Sequence, residues 1–326
     1  MKNFYPLITL GNEATPVVAA EDIRPGMIAL ANEARFTSAN YSQPLTEYIT
    51  GWRDTENLEA TLNYIAPRVP VGRRFEWKKA DNSEAFLSET DDVRAIGTGF
   101  KRVEYKGTSQ LGKTLNRGLT YRIDRDEEGP TVNEERVVAL LTQRIRRNQL
   151  RRAITALLAL AHNTAKTWSS GTPNPDEEMR EAVATAQLAS GVFPNRGIIG
   201  LAAWNLRSGV YSASDKAGAF AGLAKSPKEV GGMIGLDDLR VDRSLYQSTQ
   251  TAKARIMTSA AVFFYAQDLV GADDPTHLKR FVTPVGDGDL RVYRHEVGPK
   301  FIDITIEYYD DIVGTSTVGA EKLTIS

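Results

Sequence analysis

The sharpest chemical candidate in the chain is Gly107-Thr-Ser-Gln-Leu-Gly112-Lys113-Thr114, a full match to G-x-x-x-x-G-K-[ST]. That pattern binds nucleotides because its glycines let backbone N–H groups wrap phosphates, its lysine reaches the outer phosphates and its hydroxyl holds magnesium. The chemistry also needs a strand before the loop and a helix N-terminus after it. Residues 100–106 read as the strand. Beyond the motif, however, Leu119, Tyr121 and Ile123 alternate with polar residues as a second strand would, and Gly129-Pro130 follows. No helix is expected to point at a phosphate and no repeated βαβ pattern surrounds the segment. A nucleotide-binding enzyme using residues 107–114 is therefore kept only as a remote alternative.

The other reactive side chains assemble no catalytic set. The three histidines are His162, His277 and His295. His162 is expected within a helix and has no partner at i+4, so it reads as a packing or surface residue. The acidic pairs Asp91-Asp92, Asp237-Asp238, Asp273-Asp274 and Asp310-Asp311 read as solvated turns. Asp287-Gly288-Asp289 resembles a fragment of a calcium loop but lacks the later glutamate. No G-x-S-x-G elbow occurs. Cysteine is absent, which excludes disulfides, thiolate nucleophiles and zinc–thiolate sites. No catalytic, cofactor-binding or metal-binding residue is assigned, and no cofactor is expected.

The elements around these residues belong to a large globular chain. It has 326 residues, 41% of them hydrophobic and 25% charged, with a net charge of −1. A near-neutral balance argues against a free-standing nucleic-acid binder, though not against a shell whose faces differ in charge. No apolar run approaches a bilayer span, and the first ten residues do not read as a secretory signal. The Asn40-Tyr41-Ser42 sequon therefore reads as unmodified.

Residues 1–50, with Pro6, Pro16, Pro25 and Pro44, read as an extended arm. A short helix is expected over 54–65, because Leu58, Leu62 and Ile65 share a face and Pro67 stops it. The period then changes to two around Phe75 and Trp77, around Val103 and Tyr105, and around Leu119, Tyr121 and Ile123. Between the first two of these strands lies an acidic tip, 80–99. A long helix is expected over 131–168, opened by a Thr131/Glu134 capping box and spanning about 57 Å. It is arginine-rich first (Arg136, Arg144, Arg146, Arg147, Arg151, Arg152) and apolar later. These arginines are read as making ion pairs within or between subunits in preference to meeting nucleic acid. A further helix is expected over 176–190, closed by Gly191, and then a turn, a short strand at Ile198-Ile199 and a helix near Trp204. A mobile loop is expected over 212–232 and strands over 254–266, 290–297 and 301–309. The class is α+β.

This order of segments resembles the major capsid proteins of tailed bacteriophages, the Hong Kong-type capsid fold. In that family an arm, an extended hairpin loop and a long spine helix lead into an axial domain, and the chain then returns to the peripheral domain. Phe193-Pro194-Asn195-Arg196-Gly197-Ile198-Ile199 with Trp204 resembles the family's entry to the axial domain. The resemblance implies an arm at 1–66, an extended loop at 67–128, the spine helix and first part of the peripheral domain at 129–190, an axial domain at 191–275 and the rest of the peripheral domain at 276–326. It implies a non-enzymatic protein that forms pentamers and hexamers of an icosahedral head enclosing double-stranded DNA, bound non-specifically on the inner face. The location implied is the virion, with assembly in the host cytoplasm. Scaffolding, portal and decoration proteins are possible partners, and no membrane is involved. Arg73, Arg74, Phe75, Trp77, Lys78, Arg144, Arg147 and Arg151 are the expected inter-subunit contacts. Lys78, Lys79, Lys106 and Lys113 lie where some members carry a crosslinking lysine, but no partner asparagine is identifiable and no crosslink is inferred. Because the chain starts with the arm, any scaffold is expected to be a separate protein. An encapsulin-type nanocompartment shell, similar in fold but filled with protein, is the alternative.

Overall fold

The computed structural model describes residues 38–52, 54, 56–79, 93–94, 99, 108–126, 133–214, 219–249, 251–268, 271, 274–285, 288–316 and 319–326. The helices are α1 (Gln43–Gly51), α2 (Leu58–Ile65), α3 (Glu134–Leu160), α4 (Pro175–Ser190), α5 (Leu201–Ser212), α6 (Ala219–Ala224) and α7 (Pro227–Met233). The strands are β1 (Arg68–Pro70), β2 (Arg74–Lys79), β3 (Thr108–Lys113), β4 (Leu115–Asp124), β5 (His162–Lys166), β6 (Arg196–Gly200), β7 (Asp238–Asp242), β8 (Leu245–Gln247), β9 (Lys253–Arg255), β10 (Ala260–Phe264), β11 (Leu278–Val282), β12 (Leu290–Val297), β13 (Phe301–Gly314) and β14 (Glu321–Ile325). Two compact units are woven from non-consecutive stretches. One contains the described residues up to Trp52 with Gly118–Thr142 and Leu290–Glu307, and the other contains Arg53–Arg117, Gln143–Asp289 and Tyr308–Ser326.

In the first unit, β12 and the start of β13 pair, and β4 lies on β13 as well. Gly118 permits that approach: a Cβ there would meet the Ile306 carbonyl oxygen. Arg122 forks onto Asp303, with Nε 2.7 Å from Oδ1, and Thr120 shares a hydrogen bond of 2.8 Å with Thr305. Residues 43–51, expected as extended arm, are instead α1. Pro44 falls where a helix tolerates proline, and Leu45 and Ile49, one turn apart, are both buried. The first turn of α3 is capped by Asn133, whose side chain accepts from the Arg136 N–H at 2.8 Å. Thr131, the expected cap, lies outside the described residues.

The second unit is built on a five-stranded sheet ordered β5-β14-β10-β6-β7. Every residue of β6 and β10 is buried, and their side chains divide by parity. Ile198, Val262 and Phe264 join Leu58, Leu62 and Ile65 of α2 and Leu150, Ile154 and Leu157 of α3 in one core. Ile199 and Phe263 join Met179 and Val183 of α4, Ala203 of α5 and Val230 of α7 in another. Helices thus cover both faces, which accounts for central strands that are continuously apolar.

Three expectations change here. The long helix stops at Leu160, at 27 residues or about 40 Å. Residues 162–166 form β5, parallel to β14, with the His162 N–H donating to the Ala320 carbonyl at 2.9 Å. The partner strand is some 160 residues distant, so local helical preference could not register it. The segment 212–232, expected as a mobile loop, contains α6 and α7. The second of these opens with a full capping box, Ser226 with Glu229. Gly231 of α7 is there for close packing, since a Cβ would press on Leu239. The strand expected over 254–266 is two strands, β9 and β10, separated by residues 256–259. By contrast α4 ends as expected, with Gly191 left-handed at φ 69°, and β12 spans the expected residues.

Candidate inter-subunit surface

The ribbon of β2 and β3 carries four of the expected contact residues, and Arg73 immediately precedes it. It is antiparallel, with Phe75 opposite Gly112 and Trp77 opposite Gln110. The expected partner strand, 100–106, and all but Val93, Arg94 and Gly99 of the acidic tip lie outside the described residues. Trp77 is 6% exposed and packs with Phe75, Val69 and Phe281, the Phe75 and Phe281 ring centroids being 4.3 Å apart. Those two aromatics thus anchor the ribbon to β1 and β11 of their own chain. Arg73 and Arg74 are exposed, and Arg73 lies 4.5 Å over the Tyr309 ring. Lys78 is exposed.

The same ribbon settles the geometry of the G-x-x-x-x-G-K-T segment. Residues 108–113 are strand, and Lys113 stands opposite Arg74. The Phe75 ring lies across Gly112 so closely that a Cβ would collide with it. Gly112 is therefore a seat for an aromatic ring, and β4 follows where a phosphate site needs a helix. Gly107 lies outside the described residues.

The α3 arginines separate by face. Arg146 is buried and bonds Glu59 at 2.7 Å and the Gln149 side chain at 3.1 Å. Arg147 chelates Glu56 with both contacts at 2.8 Å. Arg152 reaches Asp310 at 2.9 Å. Asp310 is 1% exposed, forms a further ion pair with Arg117 at 3.2 Å and accepts a hydrogen bond from Gln149 at 3.0 Å. Arg144 and Arg151 remain exposed, with Arg151 lying 4.1 Å over the Tyr246 ring.

Asp310-Asp311, expected as a solvated turn, is therefore the middle of β13. Burial, and then the neighbouring Asp310 charge, push the Asp311 carboxyl above the ordinary carboxylate range. Arg280 on β11 is also buried. Desolvation first, and the Arg146 charge second, lower its guanidinium to about 10, so it stays charged at neutral pH. Its Nη2 donates to Asn63 at 3.0 Å, while Nε and Nη1 have no partner among the described residues. Asp238 opens β7, another correction to the solvated-turn reading. Asp91, Asp92, Asp273 and Asp287 lie outside the described residues. Asp289 holds Arg68 in a fork, with contacts of 2.6 and 2.8 Å. His162 pairs with buried Glu321 at 2.9 Å. Among the described residues no group of three or more acidic or histidine side chains is placed to hold a metal, and no helix is long and apolar enough to cross a membrane.

Glu56 and Glu59 carry no signal in the sequence, and Asp310 reads there only as half of a solvated acidic pair. Each is an ordinary acid until folding brings it to α3. The one available signal was an acidic pair inside the alternating apolar run of β13.

No family model matches the sequence, and no curated protein matches it. Solved structures do. A phage-related protein from Bordetella bronchiseptica superposes with a TM-score of 0.64 at 14% identity, over 87% of this chain and 96% of that one. The mature capsid of bacteriophage PhiM1 gives 0.51 at 9% identity, over 81% and 86%. The holo-SrpI encapsulin of Synechococcus elongatus gives 0.50 at 11% identity, over 91% and 96%. The fold is the one shared by tailed-phage capsid proteins and encapsulins, as the order of segments implied.

Proposed function

We propose that copies of this chain associate into a closed protein shell, and that the shell is the icosahedral head of a tailed phage. One chain would supply both pentamers and hexamers, enclose double-stranded DNA and work without a cofactor. It would assemble in the host cytoplasm and end in the virion. Scaffolding, portal or decoration proteins would join it.

The observation that carries this reading is the correspondence of fold over nearly the whole chain, 87% of it at a TM-score of 0.64. The internal chemistry agrees. Arg146, Arg147 and Arg152 of α3 and Asp310 of β13 are spent on ion pairs inside one chain. Heterologous contacts that close by rotation build rings, and rings of two sizes close a shell. The exposed residues Arg73, Arg74, Lys78, Arg144 and Arg151 are proposed for contacts beyond the chain, whereas Phe75 and Trp77 would act by holding the ribbon in position.

An encapsulin-type compartment is the second reading, favoured by the match to the Synechococcus shell over 91% of this chain. Electron microscopy of the chain expressed alone and with a scaffold tests both. Uniform closed shells, or rings of five and six, are expected. Nuclease-protected DNA inside them would select the phage reading, and a single enclosed protein would select the compartment. A chain that stays monomeric under both conditions would refute the shell.

A further inference from the structure

In the second unit, the middle of α3 and the β8–β9 hairpin border a surface cleft of about 680 Å³. The hairpin pairs Leu245 with Arg255, Tyr246 with Ala254 and Gln247 with Lys253. Arg147, Arg243, Tyr246 and Lys253 line the cleft, together with the acids Glu56 and Asp242. Both acids are already engaged. Glu56 is chelated by Arg147. Asp242 is 4% exposed and accepts from the Ser244 N–H and hydroxyl and from the Met257 N–H. Arg255 is near enough to favour the charge of Asp242, although burial is the larger influence and raises that carboxyl above its ordinary range.

The cations are less engaged. Arg243, Lys253 and Arg255 are exposed and make no ion pair among the described residues. Arg144 and Arg151 continue the patch along α3. They are seven residues apart, so they share one face at a separation of about 10 Å. The Arg151 guanidinium lies 4.1 Å over the Tyr246 ring, which presents one aromatic side chain amid the charges. On a chain of net charge −1, so local an excess is a property of this face and not of the whole molecule.

We propose that this cleft binds the phosphate backbone of nucleic acid without reading its sequence. Arginine and lysine along α3 and around the β8–β9 hairpin, extended over more than one phosphate spacing, fit a repeating polyanion better than a single carboxylate. Backbone contacts of this kind carry affinity and salt dependence but no base information. The inference deepens the shell reading by naming the face turned toward the enclosed polymer. It rests on that reading for the enclosure only, because binding can be measured on the unassembled chain.

The test is titration of the full unassembled chain with a labelled 20-base-pair DNA duplex over a salt series. The variant Arg243→Gln/Lys253→Gln/Arg255→Gln should flatten the slope of log affinity against log salt by about 2.7, at roughly 0.9 per cation lost on duplex DNA. The loss should be equal on a duplex of scrambled sequence. A control of equal charge change, Lys113→Gln/Lys228→Gln/Lys300→Gln, should leave the slope close to that of the parent. Absence of duplex binding by the parent at low salt would overturn the proposal, as would equal losses in variant and control or a loss confined to one sequence. If the cleft variant keeps its duplex affinity but no longer forms shells, the face is a contact between copies: the proposal fails while the shell reading stands.

Discussion

Two faces of α3 carry the same residue type and meet opposite fates. Arg146, Arg147 and Arg152 turn toward acids of their own unit, and Arg146 and Asp310 are almost wholly enclosed. Arg144 and Arg151 turn outward, one exposed and the other laid over Tyr246. The first set holds the subunit together, where removal of one partner strands a buried charge. The second contributes little to the fold, because exposed charges are screened by water and salt. Arginine on a helix therefore says little about role until its acceptors are placed.

The comparison can be broken most forcefully at Asp310. Asp310→Ala leaves Arg117, Arg152 and Gln149 without their shared partner, and should cost about 3 to 5 kcal/mol in urea unfolding. An unchanged midpoint would mean that this face is no more structural than the other. Trp77→Ala should cost about 3 kcal/mol in the unassembled subunit, because its ring packs on Phe281 inside the chain. A variant of full stability that fails only in assembly would instead return Trp77 to the inter-subunit surface.

Ser226→Ala removes the hydroxyl that accepts from the Glu229 N–H at 3.4 Å in the cap of α7, leaving only the reverse bond from the Ser226 N–H to the Glu229 carboxylate. It should cost about 1 kcal/mol, read as faster amide exchange across Pro227–Met233. Asp311 gives the pH test. Its carboxyl is raised in the folded state, so the folded chain binds more protons than the unfolded chain from the ordinary aspartate range up to that raised value. Its contribution to stability therefore falls as pH rises through that window, and its charge opposes folding above it. Asp311→Asn should raise the neutral-pH unfolding midpoint slightly and flatten its pH dependence in that window. A loss of stability at neutral pH would contradict the assignment. The smallest effect is expected on the outer face, where Arg144→Gln should move stability by less than about 0.5 kcal/mol. A larger change would show that the two faces are not divided as described.

Much of this was legible in the sequence because the deciding interactions are short-range. The α4 helix and its Gly191 terminus follow from a proline at the first turn, three acids behind it and a glycine at the end. The alternation in β2 follows from one buried face, whereas in β13 Asp303, Thr305 and Glu307 are buried as well as the isoleucines between them. The α+β class is legible in the periodicities, and the order of segments carries the resemblance to the capsid fold. The candidate surface was less legible. Phe75 and Trp77 read from the sequence as inter-subunit contacts, because Phe281, on which they pack, lies some 200 residues away.

What the sequence by itself determined is the elements with strong local period, caps and breakers, such as α2 and α4, and the lack of cysteine chemistry. Hydrophobic period, caps and breakers act within a few residues and need no partner. The tertiary structure alone decided where α3 ends, since β5 exists only because β14 lies beside it. It alone made Gly112 the seat of a ring in place of a phosphate loop, and it divided the arginines between Asp310 and solvent. In each case the deciding partner is distant in the chain. Its free energy arises only when folding brings the two segments within hydrogen-bonding or packing range.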